Sequence, residues 1–451
     1  MYRISIKRIR RWPALVLGLM IVAAFLAACG GGAANPPVSN VPTAAIVATP
    51  DTSTPPTAVP TVAPTAPTAP TAAPVEPTAT PVAPTPVPIN PDYLEFGIVG
   101  HLYYTDRDRV LQLTKNAGFD WFRQQVVWMD IEDPVKGIYG WDELDRIVEA
   151  VDRFGIKLLV NVVRSPTAYN ATNGLPDDPE TLANFLEQMV RRYGNKIHAY
   201  EIWNEPNLAV ENGGEIVPED VGHYVEILKA AYTRIKSLNP DALVLAAASS
   251  SSGVTNPSIA LSDQEFYRLM YTYNNGEVRN YFDIQAVHPG GAANPPDTLW
   301  PDNPSYIPGC KPAPDRCWND HETHYFRHVE NVRKWMEQYG MGDKEIWITE
   351  YGWATPNNTP GYEFGNYVTP EQQAEYIRSA MLRVYDNYPF VGNMFLWNIN
   401  FAVLWGEQGN PNHEQASFAI LNPDWSPRLS YLRAQDTIAL IKTWQGRFVA
   451  P

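Results

Sequence analysis

The sequence predicts an α/β fold, a (β/α)8 TIM barrel preceded by an export segment and a Pro/Thr/Ala-rich stalk. Three observations carry that prediction. Eight short apolar runs alternate with segments of helical periodicity between residues 91 and 451, the pattern of parallel strands joined by crossover helices. Several of the runs are continuously apolar, as strands covered on both faces are. Two of them lead to a glutamate at the strand exit, Glu205 and Glu350, and strand exits are where a barrel gathers its functional groups.

Residues 1–29 read as an address rather than a structure. Arg3, Lys7, Arg8, Arg10 and Arg11 form a basic segment, and Ala14 to Leu26 is an apolar run too short to span a bilayer comfortably. It ends in Leu26-Ala27-Ala28-Cys29, which resembles a bacterial lipobox. The resemblance implies a lipidated Cys29 that anchors the chain to a membrane at the extracellular side or cell envelope. An ordinary signal peptide is the alternative. Residues 30–90 are dominated by Pro, Thr, Ala and Val, with Asp51 and Glu76 the only charges. Frequent proline blocks helix and sheet and favours polyproline II. About sixty residues at ~3.1 Å each give a contour of roughly 190 Å, a semi-rigid stalk.

In the barrel, residues 91–451, the strands are expected in order. Phe96–Gly100 is the first, Trp121–Val126 the second, Lys157–Val163 the third and the Tyr200 region the fourth. Ala242–Ala247, Phe282–Val287, Ile346–Thr349 and Met394–Trp397 complete the set. Between them, Leu144, Ile147, Val148 and Val151 recur at helical spacing before a stop at Gly155. Asp178-Pro179-Glu180 opens a second helix, and Thr369-Pro370-Glu371-Gln372 reads as a capping box with proline at the first helical position. An open doubly wound sheet is the competing architecture, disfavoured because no glycine-rich phosphate turn follows the first strand.

Charge narrows the partners. The chain has 34 Lys+Arg and 49 Asp+Glu; five of the basic and two of the acidic residues precede residue 91, leaving 29 basic and 47 acidic in the barrel. That balance excludes nucleic acid and anionic headgroups as partners of this domain and suits a neutral substrate. Cys310 and Cys317 lie in a polar, Pro-rich stretch, where a small-loop disulfide is expected outside the cytoplasm. No metal motif such as His-Glu-x-x-His occurs, so no cofactor is expected. The catalytic domain is expected to be a monomer.

The chemistry rests on two segments. Glu201-Ile202-Trp203-Asn204-Glu205-Pro206-Asn207 delivers an Asn-Glu pair into a proline-bounded turn, and Glu345-Ile346-Trp347-Ile348-Thr349-Glu350 ends on a second acid. Two facing carboxyls are what glycosidic bond cleavage requires. Asn-Glu-Pro after the fourth strand with Glu after the seventh resembles clan A of the glycoside hydrolases, most closely family 39, with family 5 the nearest competitor. The resemblance implies a retaining double displacement, with Glu205 as acid/base and Glu350 as nucleophile. It also implies that Asn204 binds the sugar 2-hydroxyl and that Arg123, at the end of the second strand, keeps the nucleophile ionised. His288 would contact the nucleophile's surroundings, and Trp397 would stack on a sugar ring. Trp128, Trp353 and Trp405 are further candidates for outer sugar contacts, and His101 for touching the bound sugar. Structural ion pairing for Arg123 and core packing for His101, His288 and the tryptophans are the plain alternatives.

One departure stands out. Clan members often carry a tyrosine two residues after the sixth-strand histidine, where this chain has Gly290; Tyr306, in the long loop that follows, is a possible replacement. A catalytically silent glycan-binding surface lipoprotein and a structural envelope lipoprotein are the competing functions, and both leave the paired strand-end acids without a catalytic use.

Overall fold

All eight expected strands form, and they close on one another in the order β1 to β8, every neighbour pair parallel. They are β1 Glu95–Val99, β2 Trp121–Val127, β3 Lys157–Val163, β4 Ala199–Ile202, β5 Leu243–Ala246, β6 Ile284–Val287, β7 Glu345–Tyr351 and β8 Val391–Trp397. The computed structural model describes residues 94–132, 135–300 and 318–446. The signal segment with Cys29, the stalk, Tyr306 and the Cys310/Cys317 pair lie outside the described residues.

One long helix follows each strand: α1 Arg107–Asn116, α2 Asp142–Arg153, α3 Pro179–Tyr193, α4 Pro218–Leu238, α5 Asp263–Thr272, α6 Val329–Gln338, α7 Pro370–Asn387 and α8 Leu429–Trp444. Their starts follow local chemistry. Asp178 caps α3 by accepting from Glu180 N, with Pro179 at the first position. Thr369 and Gln372 exchange the reciprocal bonds of a capping box on α7. Gly155, two residues past α2, takes φ 66°, the left-handed turn that stops the helix.

Two apolar layers result from the alternation of side chains along each strand. Trp121, Leu159, Ala199, Leu245, Trp347 and Phe395 are among those that fill the barrel interior. Trp121 and Trp347 meet edge to face with centroids 4.9 Å apart. Gly97 on β1 makes room for this layer, since a Cβ there would lie 2.2 Å from the Phe395 ring. The outward residues pack under the helices in a second, larger cluster.

The ladder is regular except at its last pairing. Along β7 and β8, Ile346 and Trp347 pair with Val391 and Asn393, one step against two, and further on Ile348 pairs with Met394 but Tyr351 pairs with Leu396, three residues against two. That extra residue is a β-bulge between Ile348 and Tyr351.

Candidate active site

The two predicted acids reach the same cavity by different routes. Glu205 lies three residues beyond β4, on a turn. Trp203 and Glu205 both take left-handed backbone, at φ 74° and 43°, a conformation that costs a non-glycine residue about 1–3 kcal/mol and is held only by its surroundings. Here the holders are explicit. Trp203 N donates to Val162 O at 3.2 Å and Glu205 N to Ala248 O at 3.0 Å. Asn161 Nδ2 donates to Trp203 O at 2.6 Å. Asn207 ties the far side down, donating to Ser250 O and Leu261 O and accepting from Ser250 N. The turn is thus slung between the ends of β3 and β5.

Glu350 lies inside β7, the sixth of its seven residues. Strand alternation alone would point Thr349 inward and Glu350 outward. The bulge removes that alternation, and both face the interior: Thr349 Oγ1 donates to Glu201 Oε1 at 3.0 Å, and Glu350 Oε1 accepts from Arg123 Nη1 at 2.7 Å.

Arg123 is the hub beneath the acids. It is 1% exposed and sits third in β2, in the body of the strand rather than at its end, which corrects the expected placement. That depth lets one guanidinium serve three partners. Nε donates to Glu201 Oε2 at 2.6 Å, Nη1 to Glu350, and Nη2 to Asn204 Oδ1 at 3.0 Å. Burial works against its charge, but Glu201 and Glu350 outweigh that and raise its pKa further. The bond to Asn204 Oδ1 fixes the amide, leaving Nδ2 without a protein acceptor among the described residues.

His288, immediately after β6, stands between the acids. Its Nδ1 is 3.1 Å from Glu205 Oε1, and its Nε2 is 3.0 Å from Thr349 Oγ1 and 3.9 Å from Glu350 Oε1. Thr349 gives its own proton to Glu201, so Nε2 donates to Thr349, a tautomer assigned from the network. One proton then resides between His288 Nδ1 and Glu205 Oε1, because two lone pairs would otherwise face each other. Burial depresses the imidazole, yet Glu350 and Glu205 together raise its pKa above the usual value. Burial raises the Glu350 carboxyl above its usual range, with His288 and Arg123 pulling it back and Glu205 and Glu201 adding to it.

Glu205, His288, Glu350 and Trp397 line one cavity of about 130 Å³. Trp397, the last residue of β8, is half-buried there, with the Phe401 ring 5.0 Å away. The other tryptophans are placed differently. Trp128, Trp353 and Trp405 are buried at 0%, 1% and 5% exposure. Their indole nitrogens are bound to Glu132, Asn294 O and Gln415 respectively. They are core and loop-packing residues, not sugar platforms. His101 packs against Tyr103 and Phe401, and burial lowers its pKa to about 4.

Sequence reasoning missed much of the wall. Trp318, Tyr362, Phe364 and Phe418 line the cavity with Glu414 and Gln415, from loops and the short helical segments Glu363–Tyr367 and Glu414–Phe418, whose convergence no local pattern announces. Glu201 was legible in principle, as a charge inside an apolar strand. Gly290 is required to be glycine, since a Cβ there would lie 1.9 Å from Thr323 O. The tyrosine of related enzymes has no room at that position. Among the described residues, no cluster of His, Cys, Asp or Glu is arranged to hold a metal ion, and no helix is long and apolar enough to cross a membrane.

An eight-stranded parallel barrel with two acids flanking one imidazole at its C-terminal mouth defines a glycoside hydrolase of clan A. The model of the cellulase family, glycosyl hydrolase family 5, matches residues 90–382, more than half of the chain, and the protein belongs to that family. The sequence resemblance had ranked this family second to family 39. The match ends before β8, so Trp397 lies beyond it. Among solved structures, a family 39 glycoside hydrolase from Bacteroides cellulosilyticus is similar at 20% identity and TM-score 0.53, over 80% of this chain and 66% of its own. A glucosidase from Croceicoccus marinus is similar at 14% identity and TM-score 0.54, over 79% of this chain and 69% of its own. The β-glycosidase BGL167 gives 16% identity and TM-score 0.53, over 81% of this chain and 99% of its own. At these identities the likeness is one of fold, and the chain spans just under two thirds of the family 39 enzyme. No curated protein matches it by sequence.

Proposed function

We propose that this glycoside hydrolase cleaves β-glycosidic bonds of a neutral poly- or oligosaccharide by a retaining double displacement. Glu350 attacks the anomeric carbon, and the bond to the leaving oxygen breaks as Glu205 gives that oxygen its proton. Water then displaces Glu350 from the anomeric carbon, losing a proton to Glu205 and restoring both carboxyls. The single observation that carries the assignment is the asymmetry of charge around the acids. Glu350 accepts from a guanidinium, which favours its anion. Among the described residues Glu205 has no Arg or Lys partner, and its Oε1 lies 3.1 Å from His288 Nδ1. In this reading Asn204 Nδ2 donates to the 2-hydroxyl and Trp397 covers an apolar sugar face. Arg123 and Asn204 act from beneath, Arg123 as the group that keeps Glu350 aimed and charged. The basic N-terminal segment, the Leu-Ala-Ala-Cys29 sequence and the stalk support action at the cell surface from a lipid anchor.

The test is a panel of aryl β-glycosides and polysaccharides with wild type, Glu205→Ala and Glu350→Gly. Azide added to the Glu350 variant is expected to give an α-glycosyl azide. Undiminished turnover in both variants would remove these residues from the mechanism. An anchored enzyme incorporates labelled fatty acid and loses it in Cys29→Ala, whereas an unlabelled full-length chain would end the lipoprotein reading.

A further inference from the structure

Glu211 has a place in neither the fold's core nor the chemistry above. It is 2% exposed, nine residues past β4 in the short turn Ala209–Asn212, and it does not line the cavity. Its main-chain oxygen accepts from Trp203 Nε1 at 3.1 Å. Its carboxylate Oε1 faces Arg164 Nη2 at 3.4 Å, while Arg164 Nη1 donates to Val210 O at 2.9 Å. Arg164 follows β3 directly and is itself left-handed, at φ 63°. Asn212, which follows Glu211, donates to Pro206 O and Leu208 O. Residues 210–212 therefore grip the chain on both sides of Glu205, at Trp203 and at Pro206/Leu208, and are themselves anchored to the end of β3.

We infer that Glu211 is a positioning residue for Glu205, its buried pairing with Arg164 bracing the turn that holds Trp203, and through Trp203 the acid, in left-handed backbone. This rests on the reading of Glu205 as the proton donor. A strained segment keeps its geometry only while its surroundings over-determine it. A buried Arg164 deprived of its partner is a strong reason for that turn to move. Burial also pushes the Glu211 carboxyl up to about 7, with Arg164 opposing and Glu205 and Glu350 adding to it. A neutral amide oxygen is accordingly an adequate replacement for the acceptor.

Displacing a proton donor leaves a signature that general destabilisation does not. A 2,4-dinitrophenyl leaving group departs without protonation, whereas phenol needs the acid. The experiment measures kcat/KM for phenyl and 2,4-dinitrophenyl β-glycosides of the sugar that gives turnover in the panel above, in Glu205→Ala, Glu211→Ala, Glu211→Gln and Trp203→Phe. Glu205→Ala, Glu211→Ala and Trp203→Phe are expected to lose roughly tenfold or more on the phenyl substrate, the scale of a small misplacement of a reacting group. On the dinitrophenyl substrate they stay within about twofold, and Glu211→Gln recovers the phenyl rate. Combining Glu211→Ala with Trp203→Phe is expected to add little, since both act through one path. A split in Glu205→Ala beside an equal loss, or no loss, on both substrates in Glu211→Ala overturns the positioning role alone. No split in Glu205→Ala itself removes the acid assignment, and this inference falls with it. Should Glu211→Ala fail to fold, Trp203→Phe decides in the same way, because it severs the link while keeping the ring.

Discussion

Arg123 donates to Glu350 over 2.7 Å from a position in the body of β2, not from its rim. The guanidinium is therefore enclosed by the barrel, and its second carboxylate, Glu201, is fully buried. A cation between two acids in a water-poor interior interacts more strongly than one at the surface. The pair thus serves two purposes, setting the direction of Glu350 and offsetting part of the cost of its charge.

Removing that charge separates activity from stability. Burial raises the Glu350 pKa above its ordinary 4.5, so keeping it ionised at neutral pH costs the folded state. Glu350→Gln is expected to lower kcat by roughly 10⁴-fold or more. It is also expected to raise Tm at pH 7, by about 2 °C for each kcal/mol recovered in a domain of this size. Calorimetry beside aryl-glycoside kinetics reads both, and a lower Tm would show that the Arg123 bond outweighs desolvation.

Stability is expected to fall as pH rises through and above neutrality. Burial opposes charge on His288 and His328, but Glu350 with Glu205 in the first case, and Asp263 at 2.6 Å in the second, raise both pKa values. Such a group contributes stability that is fully present below its unfolded value, about 6.5, and lost as pH climbs through its raised folded value. The raised carboxyl of Glu350 acts in the same sense from 4.5 upward. Tm measured from pH 6 to 9 should decline, and the slope should flatten in His328→Gln. An unchanged slope in that variant would exclude the His328–Asp263 pair as a contributor.

At Gly290 the expected outcome is a loss of fold stability rather than a gain of function. Gly290→Ala places a Cβ 1.9 Å from Thr323 O, and the backbone must shift at a cost of about 1–3 kcal/mol. Thr323 and His324 line the cavity, so KM should rise in parallel. Denaturant titration and saturation kinetics check the two effects, and Gly290→Tyr is expected to be worse on both.

For Trp397→Ala the loss should fall mainly on binding. A sugar face stacked on the indole accounts for up to about tenfold in affinity, so KM rises by that order while kcat changes less. An effect on kcat alone would place the indole against the reacting atoms instead of a ring face.

The strands were legible because a parallel barrel buries both faces, and runs such as Leu158–Val163 announce that directly. Glu205 was legible from the residues around it, since Asn204 and Pro206 mark a turn that presents a side chain. Depth was not. Nothing local tells whether Arg123 ends a strand or sits within it, because that depends on how far β2 runs beside β3. Trp128, Trp353 and Trp405 look like Trp397 in one dimension, yet their nitrogens find buried acceptors and that of Trp397 has none among the described residues. The aromatic wall from Trp318 to Phe418 comes from segments far apart in sequence, so only the closed fold reveals it. The glycine at 290 was visible as a departure, and its reason, the Thr323 carbonyl, was not.

The extra residue in β7 bears on anyone who transplants this chemistry into another scaffold. A grafted strand lacking it would present either the hydroxyl of Thr349 or the acid of Glu350 to the interior, and turn the other out beneath the helices. Copying the residues is then insufficient. The count of positions between Ile348 and Tyr351 has to be copied as well, and a sequence alignment that closes this one-residue offset will place Glu350 on the wrong face.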